Sequence, residues 1–395
     1  MAGFEQLLSA VDAASGQGEE AVLATVVKVE GSAYRRPGAR MLISALGQTE
    51  GTISGGCLES EVARTAWWLT ENGPALRSYS TAEDDEDGDV AVSFGLGCNG
   101  KVHILFERID APAGRMLMEG LRALQADGQG RAVATLISPS AGLGQRLLLT
   151  AAGELQGELP ASLVSTVRSA LNEALAQRRT SLHYFQQPEG EVQVLIEYLA
   201  PARRLVIFGG GHDAQPLVRM AKLLGWHVSV IDSRAHFARA SRFPEADTVL
   251  LGQLDSSFDP LPLMQDASVA IMTHSLQQDA YWLAAALSSN AAYIGQLGPR
   301  DRTERLLREL PAQGGATHGL KRLYYPIGLD LGGDTPESVA MAMLAEMTAV
   351  LNGREGGMLK LRNASIHDLP STRVHHQDAT ELSVQPVHLS STEIV

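Results

Sequence analysis

Leu205-Val-Ile-Phe-Gly209-Gly210-Gly211-His212-Asp213-Ala214 is the stretch on which the fold of this chain turns. Four apolar residues predict a strand, the glycines a tight turn, and the amphipathic run near 213–224 a helix. The glycine spacing fits GxGxxA, which is informative only in this setting, after a strand and opening a helix. Gly209 permits the turn, Gly211 lets backbone approach a pyrophosphate, and Ala214 lets helix and strand pack closely. The next apolar run, His227-Val-Ser-Val-Ile231, ends in Asp232, near the spacing of a ribose-binding carboxylate. His212 and Asp213 read as solvent-facing or capping residues.

Outward from this stretch, strand patterns at 205–208, 227–231, 248–251, 268–272 and 292–295 alternate with helical patterns near 213–224, 279–288, 301–310 and 336–351. That order predicts an α/β fold, a Rossmann-like, doubly wound parallel sheet, beginning at Pro201. Thr273 and His274 follow the fourth of these strands, at the carboxyl end where open parallel sheets place ligands. His274 there is either an acid/base group or a structural hydrogen bonder. Arg300 and Arg302 open the next helix, either holding an anion or lying on a solvated face.

Residues 1–200 read as a separate α+β domain, 201–365 as the Rossmann-like nucleotide-binding domain, and 366–395, rich in Ser, Thr, His and Gln without periodicity, as a flexible tail. In the first of these, Ala21–Val29 and Arg40–Ser44 are strands flanking the turn-rich Gly31–Gly38, and the stretch from Cys57 to Leu69 has helical spacing. No internal repeat is evident. Arg35, Arg36 and Arg40 surround the Pro37-Gly38 turn, a pattern that suits phosphate or carboxylate and equally an ordinary hairpin tip. Ser54-Gly55-Gly56-Cys57 puts a thiol in the expected first helical turn, where backbone N–H groups stabilise anions and lower a thiol's pKa. Glu59 and Glu61 oppose that effect, and an inert cysteine is the alternative. Cys98, in Gly95-Leu-Gly-Cys-Asn-Gly100, lies in a loop whose backbone can approach a ligand. The acidic run from Glu83 to Asp89 reads as a solvated loop.

The chain has 395 residues, 45% hydrophobic and 19% charged, with a formal net charge of -13. Such a balance offers no general field for a nucleic acid or an anionic membrane. Two cysteines are too few for a disulfide framework or a CxxC zinc site. The N-terminus lacks the pattern of a signal peptide and no apolar run approaches membrane-helix length, so a cytoplasmic protein is expected. Phosphate-loop, HExxH and GxSxG patterns are absent from the sequence.

Taken together, Gly31-Ser-Ala-Tyr-Arg-Arg-Pro-Gly-Ala-Arg-Met41, Gly51-Thr-Ile-Ser-Gly-Gly-Cys-Leu-Glu59, Gly97-Cys-Asn-Gly100, Phe208-Gly-Gly-Gly-His212, Thr273-His274 with Asp279, Tyr293-Ile-Gly295 and Pro326-Ile-Gly-Leu-Asp330 with Thr335-Pro-Glu337 resemble the XdhC/CoxI family. These are accessory factors of xanthine dehydrogenase and related molybdenum hydroxylases. The resemblance spans about residues 4–355; it departs from the family at Asn99, more often glycine, and at Pro299, often serine. It implies a chaperone that binds the molybdenum cofactor (molybdopterin), holds it while a cysteine desulfurase installs the terminal sulfur, and passes it to an apo-xanthine dehydrogenase or related hydroxylase. Arg35, Arg36, Ser54, Gly55, Gly56, Cys57 and Cys98 would surround that cofactor. Gly209, Gly211, Ala214 and Asp232 would serve NAD(P) or another adenine nucleotide, or that half would help dock the client. An NAD(P)-dependent oxidoreductase using His274, or a nucleotide-sensing regulator, is the alternative. Homodimer formation is left open.

Overall fold

A computed structural model describes residues 3–16, 18–31, 33–80, 100–188, 190–255, 257–310, 319–363 and 373–376. The chain divides into two compact units, one comprising Phe4–Pro201 with His367–Val395, the other Ala202–Ile366 with the first three residues. Among the described residues no helix is long and apolar enough to cross a membrane.

The first unit is built twice from one plan. Helix α1 (Gly3–Gly16) leads into strands β1 (Ala21–Gly31), β2 (Arg40–Ser44) and β3 (Thr49–Gly51), helix α2 (Glu59–Leu69), and strands β4 (Ala75–Ser80) and β5 (Gly100–Arg108). The series then recurs as α3 (Pro112–Asp127), β6 (Arg131–Ser138), β7 (Arg146–Leu149), β8 (Leu155–Gly157), α4 (Ala161–Gln177), β9 (Ser181–Gln187) and β10 (Gly190–Leu199). One sheet runs β3-β2-β1-β5-β4 and the other β8-β7-β6-β10-β9, the same order in corresponding elements. The registers agree as well: Thr25 lies opposite Arg40 and Leu105, and Thr135 lies opposite Arg146 and Leu195. The internal repeat missing from the sequence reading is therefore present in the fold.

Few side chains betray it, because a strand plan fixes only those residues whose replacement the backbone or the core forbids. Gly51 and Gly157 both have positive φ, and a Cβ on either would press on the carbonyl oxygen of Arg40 or Arg146. Ser44 and Thr150 close the same turn, each receiving through its hydroxyl the N–H four residues on, from Gln48 or Glu154.

The two sheets pack face to face. Leu23 and Leu42 meet Val133, Leu148 and Leu199 beside α1 and α3, while Val27 and Leu105 meet Ile137, Leu182 and Leu195. Alternation along the strands turns Val22, Ala24 and Val26 toward α2, and Ala132, Ala134 and Leu136 toward α4. Two ion pairs cross the space between the sheets in opposite senses. Arg40 on β2 donates from Nη1 and Nη2 to Glu197 on β10 at 2.8 and 2.6 Å. Its counterpart Arg146 on β7 reaches Glu107 on β5, with Nη2 to Oε1 at 2.6 Å. All four residues are buried.

A short strand, Arg373–His376, adds in parallel to β9, within the stretch expected to be a flexible tail. Aromatic stacking explains its seat: His375 lies on Tyr184 and His376 on Phe185, at centroid distances of 4.7 and 4.4 Å. His183 and His376 also share a 2.8 Å hydrogen bond.

The second unit is a single parallel sheet with both faces covered. Its elements are β11 (Arg204–Phe208), α5 (Ala214–Leu223), β12 (His227–Asp232), β13 (Thr248–Leu251), α6 (Leu261–Met264), β14 (Ser268–Ile271), α7 (Leu276–Ser288), β15 (Tyr293–Gln296), α8 (Arg300–Glu309), β16 (Leu323–Tyr324) and α9 (Pro336–Leu351). The order β13-β12-β11-β14-β15-β16 places the topological switch between β11 and β14. Helices α5 and α9 cover one face, α7 and α8 the other, so the strands read as unbroken apolar runs. This is the doubly wound Rossmann sheet expected from the sequence, in a chain that also carries an N-terminal α+β unit.

Breaking one crossed pair leaves a buried charge. Arg146→Met should cost the first unit about 3–5 kcal/mol, while Arg146→Met with Glu107→Leu should recover most of that loss. Urea unfolding followed by circular dichroism measures both; equal losses in the single and double variants would contradict the pairing argument.

Candidate functional site

Each unit gathers candidate residues at one end of a sheet. In the second unit, Gly209 has φ +116°, and a Cβ there would lie 2.6 Å from the carbonyl oxygen of Met272, so the turn between β11 and α5 requires glycine. Asp232 caps the loop from the neighbouring strand: its Oδ2 accepts the Gly210 N–H at 2.8 Å. Both carboxylate oxygens also receive Arg234, at 2.9 Å from Nε and 2.8 Å from Nη2. Burial alone would raise the Asp232 carboxyl, but the bonds from Arg234 and Gly210 outweigh it and hold the group below the usual carboxylate range. Arg242 leans over the Phe237 ring beside the loop, as Arg234 does. Sequence reasoning missed both arginines; the signal was their place soon after the carboxylate that ends β12.

His274 is exposed, and its Nε2 lies 3.6 Å from where a Cβ of Gly211 would stand, so the imidazole faces the glycine turn across the switch point. Thr273 is turned inward. Its hydroxyl donates to Asp279 Oδ1 at 2.5 Å, and Asp279 Oδ2 receives Arg302 at 3.0 Å from Nε and 2.7 Å from Nη2. Asp279 is fully buried. Arg302 is therefore a clamp on the loop after β14 rather than a bare cation. Ala214 opens α5 as the pattern required.

In the first unit the hairpin tip between β1 and β2 folds against the loop before α2. The Tyr34 ring covers Gly55, whose Cβ would lie 2.9 Å from ring carbons, and the Arg35 guanidinium sits 5.4 Å from the Tyr34 centroid. Tyr34, Arg35, Arg36 and Cys57 are all exposed. Arg40 leaves this group: its buried pairing with Glu197 makes it a core residue. Cys98 and the acidic run lie outside the described residues.

The loop itself differs from the expected helical turn. Helix α2 begins at Glu59, two residues past Cys57, because Gly55 and Gly56 have φ of +95° and +118°. Glu59 folds back into the loop. Its carboxylate accepts the N–H groups of Ile53, Ser54, Gly55, Gly56 and Leu58 at 2.8 to 3.2 Å, the Thr52 hydroxyl at 2.6 Å and the Ser54 hydroxyl. Burial works against the charge, yet the bonds from Ser54 and Thr52 and from the backbone prevail and hold Glu59 far below the usual carboxylate range. The donors that the sequence offered to a ligand anion or to the thiol of Cys57 are thus spent on Glu59.

A two-sheet unit carrying this rim, joined to a Rossmann unit, defines a class of two-unit α/β proteins, and comparison with known proteins gives the family. The model of the XdhC and CoxI family matches residues 14–80, and that of the XdhC Rossmann domain matches 205–347. A protein of Bacillus subtilis named as a probable xanthine dehydrogenase subunit is 33% identical over 351 residues, 88% of this chain and 97% of that protein. The molybdenum cofactor insertion chaperone PaoD of Escherichia coli is 23% identical over 84% of both chains. Among solved structures, a xanthine dehydrogenase from Bacillus halodurans superposes with TM-score 0.70 at 28% identity, over 88% of this chain and 96% of that one. This chain belongs to the XdhC and CoxI family.

Removing the internal carboxylate should expose the nest. Glu59→Ala should lower stability by about 1–3 kcal/mol through unpaired donors, and millimolar phosphate should raise the unfolding temperature of that variant but not of the wild type. Differential scanning fluorimetry reads both; a phosphate shift of equal size in the two proteins would sink the assignment. The wild-type contribution of Glu59 is present above the unfolded carboxyl pKa near 4.5 and is lost as pH falls below it, since the folded pKa is the lower of the two.

Proposed function

We propose that this protein is an accessory factor of xanthine dehydrogenase or a related molybdenum hydroxylase, one that binds the molybdenum cofactor, holds it for sulfuration by a cysteine desulfurase and inserts it into the apo-enzyme. Family membership supports the accessory role, and the name of the Escherichia coli relative supports the cofactor. The observation that carries the reading is the exposed rim of the first unit, where Tyr34 and Arg35 lie against the Ser54–Cys57 loop.

The donor set fits such a group. Molybdopterin presents a flat heterocycle, a phosphate and an oxygen-bearing metal; an exposed aromatic ring, guanidinium groups and an exposed thiol match these in turn. Arg35 and Arg36 would hold the phosphate, since Glu59 already fills the backbone nest. Tyr34 would offer a stacking face, and Cys57, with Cys98, a thiol near the metal. When bound, the cofactor supplies the redox centre of the client enzyme. The chain's own contribution is to orient and shield it. In the second unit, the glycine turn, Asp232 and the paired arginines Arg234 and Arg242 fit NAD(P) or another adenine nucleotide.

Mass analysis of small molecules that co-purify with the protein tests this directly. The pterin cofactor is expected, and Arg35→Ala/Arg36→Ala should reduce its affinity about 10- to 100-fold, as the loss of two charge-assisted contacts implies. Cys57→Ala with Cys98→Ala should impair activation of an apo-hydroxylase. Full binding and full activation by both variants would defeat the assignment of this rim. Steady turnover of NADH with a carbonyl substrate, dependent on His274, would favour an oxidoreductase instead.

A further inference from the structure

In a parallel sheet of this order a dinucleotide lies across the switch point, its pyrophosphate on the glycine turn and its adenosine ribose at the carboxyl end of the next strand. The turn leaves that approach open: a Cβ on Gly211 would meet only His274 Nε2, at 3.6 Å. At the ribose end the chain departs from the usual arrangement. A carboxylate there ordinarily accepts the ribose 2′-hydroxyl, and Asp232 stands in that place with nothing left to accept. Its Oδ1 takes the Arg234 N–H at 2.8 Å and Nε at 2.9 Å, while Oδ2 takes the Gly210 N–H and Arg234 Nη2, both at 2.8 Å. These bonds fill the lone-pair sites of a carboxylate, and the Asp232 side chain is 0% exposed.

What the ribose end presents instead is positive charge. The segment after β12 folds back over the turn, so that a Cβ on Gly210 would lie 3.0 Å from the Phe237 carbonyl oxygen and 3.4 Å from the Phe243 ring. Arg234 and Arg242 both lie on the Phe237 ring, 3.9 and 4.9 Å from its centroid. Arg234 is tied to Asp232 along one edge of its guanidinium, through Nε and Nη2, and among the described residues nothing bonds its Nη1. Arg242 is less committed still. Its Nη2 reaches the Gly210 carbonyl at 3.4 Å, its buried Nε has no hydrogen-bond partner, and no carboxylate among the described residues pairs with it. Two guanidinium groups thus share one carboxylate beside the glycine turn.

We infer that the second unit selects a dinucleotide phosphorylated on its adenosine ribose, NADP(H) over NAD(H), with Arg234 and Arg242 receiving the 2′-phosphate and Asp232 holding Arg234 in place. The inference rests on the reading of this unit as a nucleotide site. A ribose hydroxyl is recognised by a carboxylate only by donating to it, and Asp232 has no free acceptor; NAD(H) bound in that manner must first break the bonds from Arg234. A phosphate makes the opposite demand. It only accepts, and the planar fork of an arginine offers it parallel N–H donors. The Phe237 ring serves both cations at once, since a guanidinium stacked on an aromatic face is attracted to it while its edge stays available for an anion. Asp232 is accordingly a positioning residue, acting on the ligand through Arg234.

Isothermal titration calorimetry of the full chain reads this selectivity. NADPH should bind at least about tenfold more tightly than NADH, and 2′,5′-ADP at least about tenfold more tightly than 5′-AMP, from which it differs only by the 2′-phosphate. Arg242→Gln should lower the ratio of NADPH to NADH affinity by about tenfold or more. A residue that merely shapes the loop would lower both affinities together and leave that ratio unchanged. Arg234→Ala frees the Asp232 carboxylate, so NADPH should weaken while NADH tightens. Differential scanning fluorimetry shows whether this variant is folded; where it is not, the ratio in Arg242→Gln decides. Equal affinity for NADPH and NADH, an unchanged ratio in Arg242→Gln, or 3′,5′-ADP bound as tightly as 2′,5′-ADP overturns the assignment. Equal binding of the two dinucleotides leaves the nucleotide reading of the unit standing, whereas binding of neither removes both.

Discussion

Two buried, oppositely directed arginine–glutamate pairs are the constraint around which the first unit is arranged. A guanidinium and a carboxylate removed from water tolerate one another only in close, paired geometry. Arg40 with Glu197, and Arg146 with Glu107, therefore pin the distance and register of two sheets whose remaining contacts are apolar and interchangeable. Because each sheet gives one arginine and receives the other, slipping one sheet past its partner would strand four charges together. The glycines at Gly51 and Gly157 belong to the same device, since they let β3 and β8 pass close over the backbone of those two arginines.

The Rossmann unit is legible in the sequence because its evidence is short-range: a strand, a glycine turn, a helix and a carboxylate ending the next strand lie within thirty residues. The repeat of the first unit is not, since its signature is a handful of isolated positions separated by unequal insertions. Arg40 illustrates the limit and also a missed clue. Proximity groups it with Arg35 and Arg36, yet it opens a strand in which Arg40 and Leu42 alternate with Met41 and Ile43, which marks it for a sheet face instead of the turn. The contribution of Glu59 is hidden for a different reason. Acid near a helix start reads as a modest electrostatic preference, and only the two left-handed glycines bring five amides onto one carboxylate.

Among the described residues, what the family motifs of the first unit share is placement at one end of one sheet. The second repeat spends the same strand ends on short turns, while the first extends them into the arginine hairpin and the glycine loop. In the second unit, the motif residues divide between those that shape the crevice and those that face it. Thr273, Asp279 and Arg302 form an internal clamp, whereas His274, Gly211, Arg234 and Arg242 border the open side of the switch point.

Glu59 also bears on selectivity. A carboxylate tethered a few residues from its own binding nest is present at an effective concentration that free inorganic anions in solution do not match. Phosphate and sulfate are thereby kept out of a loop that backbone geometry would otherwise make receptive to them. Under the proposed cofactor reading, an anion that settles on this rim is chosen by the side chains around it, so discrimination would pass from backbone amides, which recognise any oxyanion, to the exposed Tyr34, Arg35 and Arg36.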